Sequence, residues 1–249
     1  MAVVYLGSAH GDENGGAHGG KAGDQTGHEL SERAYYVHSK GWRVFRPIDP
    51  AKGLEIAAAA KAACANPNIG YDQWQRLTLY NEAQKVGFDL ARVAVPCETD
   101  CSALVQVCCA AAGITVRNFD TSSELAALMA TGQFEELIGD KYTKQSAFLR
   151  AGDILVTKVK GHTEIVLNNG PKCEMPSTPT TGGKEIVLIQ GGSCWVRTAP
   201  NTTTGKKIGA VTAGTQLPYS GQSVNGWHLV DYKNRNGWVS GKYSKVVKA

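Results

Sequence analysis

The stretch ETDCSALVQVCCAAAGI, residues 98–114, has the pattern of a short helix that begins with a polar cap and ends at a glycine. Thr99 or Asp100 can cap its amino terminus, and Gly113 is a typical stop at its carboxyl end. Cys101 then falls in the first turn, where the helix dipole and the free backbone N–H groups favour a thiolate. We therefore predict that the pKa of the Cys101 thiol is lowered and that this cysteine is a candidate nucleophile.

The neighbouring cysteines are predicted to be structural. Cys108 and Cys109 share an alanine-rich, apolar part of the helix, where small side chains pack well. Cys97 lies on the approach to the helix. The chain has seven cysteines, an odd number without a repeating spacing, which argues against a disulfide framework and indicates a reducing compartment. Their spacing does not match a zinc site either, so we assign no metal ligand among them.

A cysteine nucleophile requires a base, which is usually a histidine held by a further polar group. His162 starts the β-branched run HTEIVLNN, directly after Gly161, where its ring can project from a strand end onto a helix start. Because side chains alternate along a strand, Glu164 and Asn168 face the same side as His162. Glu164 is thus one candidate to orient the imidazole.

The amino-terminal body combines helical and strand patterns. Segments 50–65 and 71–87 carry apolar residues at helical spacing, with Pro or Gly near their ends. The runs 150–159 and 162–169 are rich in β-branched residues and are separated by a Lys-Gly turn, which predicts an antiparallel hairpin. Helices first and strands later favour the α+β class. The Gly-rich residues 1–30 are expected to lie as an extended segment over this body.

The carboxyl-terminal part has a different composition. GPKCEMPSTPTTGGKE, residues 170–185, is rich in Pro, Thr and Gly and has no apolar period, which is typical of a linker. Short apolar runs separated by Gly and Asn follow it, as expected for a small β-barrel of about five strands. The predicted organisation is a body at residues 1–170, a linker at 171–185 and an all-β domain at 186–249.

Charge is distributed unevenly between these parts. Residues 186–249 hold eight basic residues and one acidic residue, a net charge of +7, whereas the remainder holds 18 basic and 21 acidic residues, a net charge of −3. A basic domain on a mildly acidic body suggests an anionic partner for that domain. Nucleic acid, a membrane surface and an anionic cell wall all fit on charge alone. Scattered charges and the lack of a predicted recognition helix argue against nucleic acid.

The basic domain resembles a bacterial SH3-like domain over residues 196–247. The matching pieces are VRTAP (196–200), IGAVTAGT (208–215), GWHLVDY (226–232) and GWVSGKYS (237–244). Domains of that family usually attach hydrolases to peptidoglycan. The resemblance therefore implies a domain that binds the bacterial cell wall.

The body resembles a second family. TDCSALV (99–105), followed by LRAGDILVTKVKGHTEIVLNNG (149–170), is similar to the signature of NlpC-type papain-like peptidoglycan hydrolases. In that signature, Asp-Cys-Ser opens a helix, Gly-Asp precedes a strand, and Gly-His opens the next strand. GKAGDQTGHEL (20–30) and NIGYDQWQR (68–76) further resemble the cysteine amidase/endopeptidase branch found in phage endolysins. The resemblance implies a papain-like fold for the body.

The resemblance also implies roles for individual residues. Cys101 is the expected nucleophile and His162 the expected base of an acyl-transfer reaction. Many relatives place the third polar residue on the strand after the histidine, a region that here is already the linker. Glu164, Asn168 and Glu174 remain open for this role, and Glu164 is our choice.

Further polar residues from the quoted motifs are expected near the substrate. They flank the nucleophile or lie in the two amino-terminal motifs, where the latter can bond backbone in a turn or line a groove. The candidate substrate-binding residues are Asp24, Gln25, Tyr71, Asp72, Gln73, Asp100 and Ser102.

Together these patterns predict a peptidoglycan hydrolase that cleaves an amide bond of the stem peptide and is anchored by its SH3-like domain. The fold serves γ-D-glutamyl endopeptidases and N-acetylmuramoyl-L-alanine amidases alike, so the cleaved bond stays open. The alternative is a catalytically inactive wall-binding protein. Neither a cofactor nor a metal is expected, because the histidines in the Gly-rich amino-terminal segment match no metal-binding loop.

The amino terminus MAVVYLGSAHGDENGG, residues 1–16, shows neither the basic nor the long apolar region of a secretory signal. No apolar stretch approaches the roughly 18 residues that a membrane helix needs. We therefore expect a monomer that is made in the cytoplasm, has no stable membrane association and acts on the bacterial wall, as a phage endolysin does.

Overall fold

The structure is a computed structural model that describes residues 3–173, 185–203, 205–224, 226–233 and 236–248. The chain forms two compact units, Met1–Met175 and Pro176–Ala249. Most of the predicted linker, and with it Glu174, lies outside the described residues. Where the chain is described, no helix is both long and apolar enough to cross a membrane.

The amino-terminal unit mixes strands and helices. Its strands are β1 (Tyr5–Ala9), β2 (Leu30–Ala34), β3 (Trp42–Pro47), β4 (Ile69–Tyr71), β5 (Cys97–Thr99), β6 (Phe134–Leu137), β7 (Ile154–Thr157) and β8 (Thr163–Val166). Its α-helices are α1 (Pro50–Cys64), α2 (Thr78–Lys85), α3 (Cys101–Ala111), α4 (Glu124–Ala130) and α5 (Asp140–Thr143), and a 3₁₀ turn spans Leu90–Arg92.

Six of these strands form one antiparallel sheet in the order β2-β1-β8-β7-β3-β6. The predicted hairpin is confirmed, because β7 and β8 pair antiparallel with Ile154 opposite Ile165. The expectation for the first 30 residues is wrong in part. They include β1, an interior strand whose Leu6 is fully buried. A strand of five residues within a Gly-rich segment is too short to show a clear period, so only its burial between β2 and β8 reveals it.

The predicted helices are present with changed bounds. Asp49 accepts a hydrogen bond from the Ala51 N–H and caps α1, whose alanine-rich face packs against α3. The helix predicted over residues 71–87 begins only at Thr78. Tyr71 instead ends β4, and an irregular segment at residues 72–77 connects it to the helix. Strand β4 pairs in parallel with β5, and its Ile69 is fully buried.

The carboxyl-terminal unit is all-β in its described residues. Its strands are β9 (Glu185–Ile189), β10 (Cys194–Arg197), β11 (Lys207–Val211), β12 (Gln216–Val224), β13 (Trp227–Asp231), β14 (Asn236–Ser240) and β15 (Ser244–Lys248). They form one antiparallel sheet in the order β11-β10-β14-β13-β12-β9-β15 around a small valine-rich core. The described residues hold seven strands where about five are predicted, because β9 spans the predicted domain boundary and a turn at Gly241 separates β14 from β15.

Candidate active site

Two elements bring Cys101 to the surface of the amino-terminal unit. Strands β4 and β5 run in parallel with Tyr71 opposite Thr99, so the residues that follow both strands emerge at the same edge. The Asp72 N–H donates to the Thr99 carbonyl oxygen across this edge at 3.0 Å. Cys101 is the first residue of α3, which begins directly after β5. The segment after β4 therefore lies beside the start of α3.

Of the two predicted caps, Thr99 and Asp100, the structure has Asp100 as the N-cap of α3. Its Oδ1 accepts hydrogen bonds from the Ala103 N–H at 2.7 Å and from the Ser102 hydroxyl at 2.9 Å. Its Oδ2 accepts from Arg76 Nε at 2.5 Å, and Arg76 Nη2 also donates to Ser102 Oγ at 2.9 Å. Both of its carboxylate oxygens are therefore engaged in holding the helix start.

Arg76 is a site residue that the sequence analysis missed. Its guanidinium bonds Asp100 and Ser102 on α3 and, in addition, Asn118 Oδ1 and the Phe119 carbonyl oxygen beyond the helix. It lies in the quoted motif NIGYDQWQR, but a motif does not say which of its polar residues crosses to another segment. Arg76 ties three separate chain segments together beside Cys101.

His162 and Glu164 form a side-chain pair at the start of β8. His162 Nε2 lies 3.1 Å from Glu164 Oε1, as the alternation of side chains along a strand predicts. The Tyr36 hydroxyl donates to the same carboxylate oxygen at 3.0 Å. Glu164 is fully buried, and its other oxygen has no hydrogen-bond partner among the described residues. Burial and the Glu164 carboxylate raise the pKa of Tyr36, which keeps it a hydrogen-bond donor.

The thiol of Cys101 does not have the lowered pKa that its helix position predicts. The residue is only 7% exposed, and this burial raises the thiol pKa well above its ordinary value. The carboxyl groups of Asp100 and Glu124 raise it further, while the nearby backbone N–H groups of Thr163 and Ser102 lower it by less. The desolvation of a charged group outweighs the helix-end effect here. The resting thiol is therefore neutral.

Because the Thr163 N–H lowers the pKa of the Cys101 thiol, these two residues lie close together. Thr163 follows His162 at the start of β8, so the histidine strand begins next to the first turn of α3. The Thr163 hydroxyl donates to Glu124 Oε1 at 2.8 Å. Glu124 is fully buried, and burial raises its pKa far above the usual range, so its carboxyl group is neutral. No sequence pattern indicates this contact, because it joins residues 39 positions apart.

A cavity of about 340 Å³ opens over Cys101. Its lining combines the first turn of α3 with the segments before His162 and after β4. The lining residues are Gln73, Arg76, Asp100, Cys101, Ser102, Asp120, Thr121, Lys160 and Gly161. Asp120 and Lys160 form an ion pair of 2.8 Å within this lining. The cavity thus presents both positively and negatively charged side chains to a substrate next to the thiol.

Three predicted substrate residues lie together at the end of β4. Gln73 lines the cavity and donates from Nε2 to the Tyr71 hydroxyl at 2.9 Å. Burial raises the pKa of Tyr71 to about 12, and the nearby Cys101 contributes to the shift. Asp72 is buried and accepts hydrogen bonds from the N–H groups of Gly19 and Trp74, so its carboxylate holds the backbone locally.

Asp24 and Gln25 lie in a turn of the amino-terminal segment. Asp24 Oδ1 accepts hydrogen bonds from the N–H groups of Thr26 and Gly27, and Gln25 Nε2 donates to the carbonyl oxygens of Ala22 and Gly23. Neither belongs to the lining of the cavity over Cys101. The turn interpretation is the one that these contacts support, and their role in substrate binding stays a prediction.

Of the other candidates for the third catalytic position, Asn168 lies at the far end of β8. Its Oδ1 accepts from the Tyr5 N–H at 2.7 Å, and its Nδ2 donates to the Val3 carbonyl oxygen at 2.8 Å. These bonds tie the end of the strand to β1 and leave the amide away from His162. Glu174 lies outside the described residues.

The remaining cysteines take no part in this arrangement. Cys108 and Cys109 are fully buried in the core between α3, α1 and the sheet, as predicted. Cys97 is buried on β5, where burial raises its thiol pKa to about 12. No disulfide joins the cysteines that the structure describes.

Comparison with known families gives two matches. Residues 6–173 match the family model described as an endolysin-like domain, and residues 196–245 match that of a bacterial SH3 domain. No curated protein and no solved structure matches the chain. The two domains together indicate a peptidoglycan hydrolase with a cell-wall-binding domain. The chain belongs to the family of the endolysin-like domain, whose match covers well over half of its length.

Proposed function

We propose that this protein hydrolyses an amide bond of the peptidoglycan stem peptide by cysteine catalysis in a papain-like unit. Cys101 is the nucleophile, His162 the base, and Glu164 the group that orients the imidazole. The observation that carries the proposal is the junction of α3 and β8. The Cys101 thiol lies in a cavity at the start of α3, beside Thr163, the first residue of β8. The residue before Thr163 is His162, whose Nε2 lies 3.1 Å from Glu164 Oε1.

The first half of the reaction forms an acyl-enzyme. His162 takes the thiol proton of Cys101 as the sulfur attacks the amide carbon, which suits a buried thiol that is neutral at rest. The Ala103 N–H is already bonded to Asp100, so the N–H groups of Cys101 and Ser102 are the candidate donors for the oxyanion. The C–N bond then breaks, and the imidazolium protonates the leaving amine.

The second half releases the acyl group. Water attacks the thioester carbonyl while His162 accepts one of its protons, and the C–S bond breaks to give a carboxylic acid and the free thiol of Cys101. Glu164 stabilises the imidazolium in both halves, because its carboxylate lies within hydrogen-bond distance of His162 Nε2. Arg76 and Asp100 are positioning residues that fix the helix start.

The binding side of the proposal follows the domain organisation. We assign catalysis to residues 1–170 and wall binding to residues 186–249, joined by a linker at 171–185, in a protein that acts as a monomer. The acid–base character of the cavity lining, with Arg76 and Lys160 beside Asp100 and Asp120, suits a stem peptide that carries both carboxylates and amines.

Replacing the nucleophile tests the mechanism. Cys101→Ala is expected to lower the rate at which the protein clears purified walls by at least about a thousandfold, because the acyl-enzyme no longer forms. Cys64→Ala, which removes a half-buried thiol elsewhere, is the matched control and should keep its activity. A Cys101→Ala protein that clears walls as fast as the wild type refutes the cysteine mechanism.

The alternative is a wall-binding protein without catalytic activity, which the burial of the Cys101 thiol favours. It predicts that wild-type protein binds walls and releases no fragments. Mass spectrometry of released fragments separates the remaining possibilities. A new amino-terminal L-Ala identifies an N-acetylmuramoyl-L-alanine amidase, and cleavage within the stem peptide identifies an endopeptidase such as the γ-D-glutamyl type.

A further inference from the structure

His10 joins the His162–Glu164 pair from the neighbouring strand. Strands β1 and β8 pair antiparallel with Leu6 opposite Val166 and Gly7 opposite Ile165. Continued in the same register, this pairing places His10 opposite His162. Directly opposed residues share one face of a sheet, and the two imidazole rings lie with their centroids 5.5 Å apart. Two histidines and one glutamate therefore converge on this face.

The distances between the potential ligand atoms of this cluster, and the unoccupied lone pairs on them, suit a metal ion. One potential ligand atom from each of His10, His162 and Glu164 lies within 4.8 Å of the others. Glu164 is fully buried, and its Oε2 has no hydrogen-bond partner in the described part of the chain. His10 Nε2 lies 3.4 Å from the Ser31 carbonyl oxygen, a contact that directs the other ring nitrogen towards a ligand.

The donor set selects among metals. Two imidazoles and a carboxylate with one open position are a typical zinc set, whereas Ca²⁺ and Mg²⁺ prefer all-oxygen ligands. Zinc bonds of about 2.0–2.1 Å require tetrahedral ligand atoms about 3.3 Å apart. The ligand atoms of the three side chains now lie up to 4.8 Å apart, so they must approach one another by only about 1–1.5 Å. Rotation of the half-buried histidines can supply this movement.

We propose that His10, His162 and Glu164 form a zinc-binding site and that Zn²⁺ bound there reversibly inhibits the hydrolase. The ion occupies the imidazole that otherwise serves Cys101, so hydrolysis and zinc binding exclude each other. The inhibition rests on the proposed function, whereas binding of the ion does not. His10 has no role in the proposed reaction, which allows the two to be separated.

Zinc binding is tested on the full chain with a reductant that does not bind metal, by competition with a chromophoric chelator. The wild type should bind Zn²⁺ at this site, and His10→Gln should weaken binding by about a hundredfold, the loss of one of three ligands. His28→Gln, the same change at an exposed histidine of the amino-terminal segment, should bind as the wild type does. Equal affinity of His10→Gln and wild type overturns the proposal.

Wall clearance tests the inhibition. Zn²⁺ should stop the wild type and EDTA should restore it, while His10→Gln should be active and resist the same zinc concentration. Activation by Zn²⁺, or loss of activity in EDTA, overturns inhibition. If walls are not cleared by any variant, or Cys101→Ala still clears them, the proposed function fails while the binding measurement still decides the site.

A spectroscopic measurement on the wild type covers the case in which His10→Gln does not fold, which circular dichroism would reveal. Co²⁺ in this site should give the visible absorption of a tetrahedral ion without a sulfur-to-cobalt charge-transfer band. Such a band would show that free cysteines hold the metal, and it would overturn the assignment of these ligands.

Discussion

At the scale of single residues, Cys101 is subject to two opposed effects. Its place at the start of α3 favours the thiolate, and its burial favours the thiol. Burial has the larger effect, because only a few backbone N–H groups compensate for lost water. A neutral resting thiol needs its base at the moment of attack. The proposed mechanism is therefore general-base catalysis rather than attack by a preformed thiolate–imidazolium pair.

The alkylation rate of Cys101 reports this difference. We expect its labelling by iodoacetamide to rise about tenfold per pH unit from pH 6 to pH 9 without a plateau, since the raised pKa keeps the thiolate fraction small. Peptide mapping by mass spectrometry follows the residue individually. A rate that is already constant near neutral pH would indicate a preformed ion pair and contradict this expectation.

Glu98 on β5 is another buried acid, three residues before Cys101 in the chain. It is 1% exposed, and neither carboxylate oxygen has a hydrogen-bond partner among the described residues. Burial raises its pKa from 4.5 to about 8, helped by the carboxylates of Glu29 and Asp72. The folded state therefore binds a proton that the unfolded state releases between these two pH values.

This proton makes folding pH-dependent. A raised folded-state pKa contributes stability that is present below pH 4.5 and is lost as pH rises towards about 8. Glu98→Gln should remove this part of the dependence and raise the free energy of unfolding by on the order of 3 kcal/mol at pH 7. Urea denaturation at several pH values measures it. Glu55→Gln, at an exposed position on α1, is the control and should leave the pH dependence unchanged. If the free energy of unfolding of Glu98→Gln changes with pH as that of the wild type does, the assignment to Glu98 is wrong.

At the scale of elements, the start of α3 is held more firmly than that of α1. Asp49 caps α1 with a single side-chain hydrogen bond, to the Ala51 N–H. Asp100 caps α3 and also binds the guanidinium of Arg76, which is itself mostly buried. Cys101, the proposed nucleophile, thus sits on a helix end that is tied to the rest of the unit.

The two caps provide a matched comparison. Asp49→Ala should lower the free energy of unfolding by about 1 kcal/mol, the usual cost of a lost cap. Asp100→Ala should lower it by about 2–3 kcal/mol, because it also leaves Arg76 without its charged partner. Asp100→Asn keeps the capping oxygen, so its loss in the free energy of unfolding should lie between those of the two alanine variants. Urea denaturation checks the order, and equal losses for both alanine variants would mean that the Arg76 contact contributes nothing.

At the scale of the whole molecule, charge divides the chain into a mildly acidic part and a basic part. Residues 186–249 carry a net charge of +7. Several of these cations are exposed, and one, Lys207, lies 4.2 Å from the centre of the half-exposed Trp195 ring. An anionic wall polymer would be attracted to this unit, and salt would weaken the attraction.

Wall binding of the full chain should therefore fall as salt rises. Replacing Lys242, Lys245 and Lys248 with Gln should weaken binding about tenfold at low salt, at about 0.5 kcal/mol per exposed charge, and flatten the salt dependence. Pull-down with purified walls measures both. The same change at Lys61, Lys85 and Lys144 of the other unit should have little effect. Equal effects of the two triple variants would mean that net charge, and not the SH3 unit, drives binding.

Local sequence patterns were sufficient to predict several features of the amino-terminal unit. The cap at Asp100, the helix that begins at Cys101, the β7–β8 hairpin and the shared face of His162 and Glu164 all depend on residues one to four positions apart or on one short turn. Periodicity and capping rules act over that range. The mixed helix and strand content of the amino-terminal unit and the all-β character of the carboxyl-terminal unit also follow from local composition and turn spacing.

The contacts that assemble the candidate site could not be predicted in this way, because they depend on long-range packing. The interior position of β1, the approach of His10 to His162 and the bond from Tyr36 to Glu164 join residues more than a hundred positions apart. The depth of Cys101, and with it the direction of its pKa shift, likewise depends on what packs over the helix. Such contacts are selected by the burial of apolar surface in the whole unit, which no local pattern encodes.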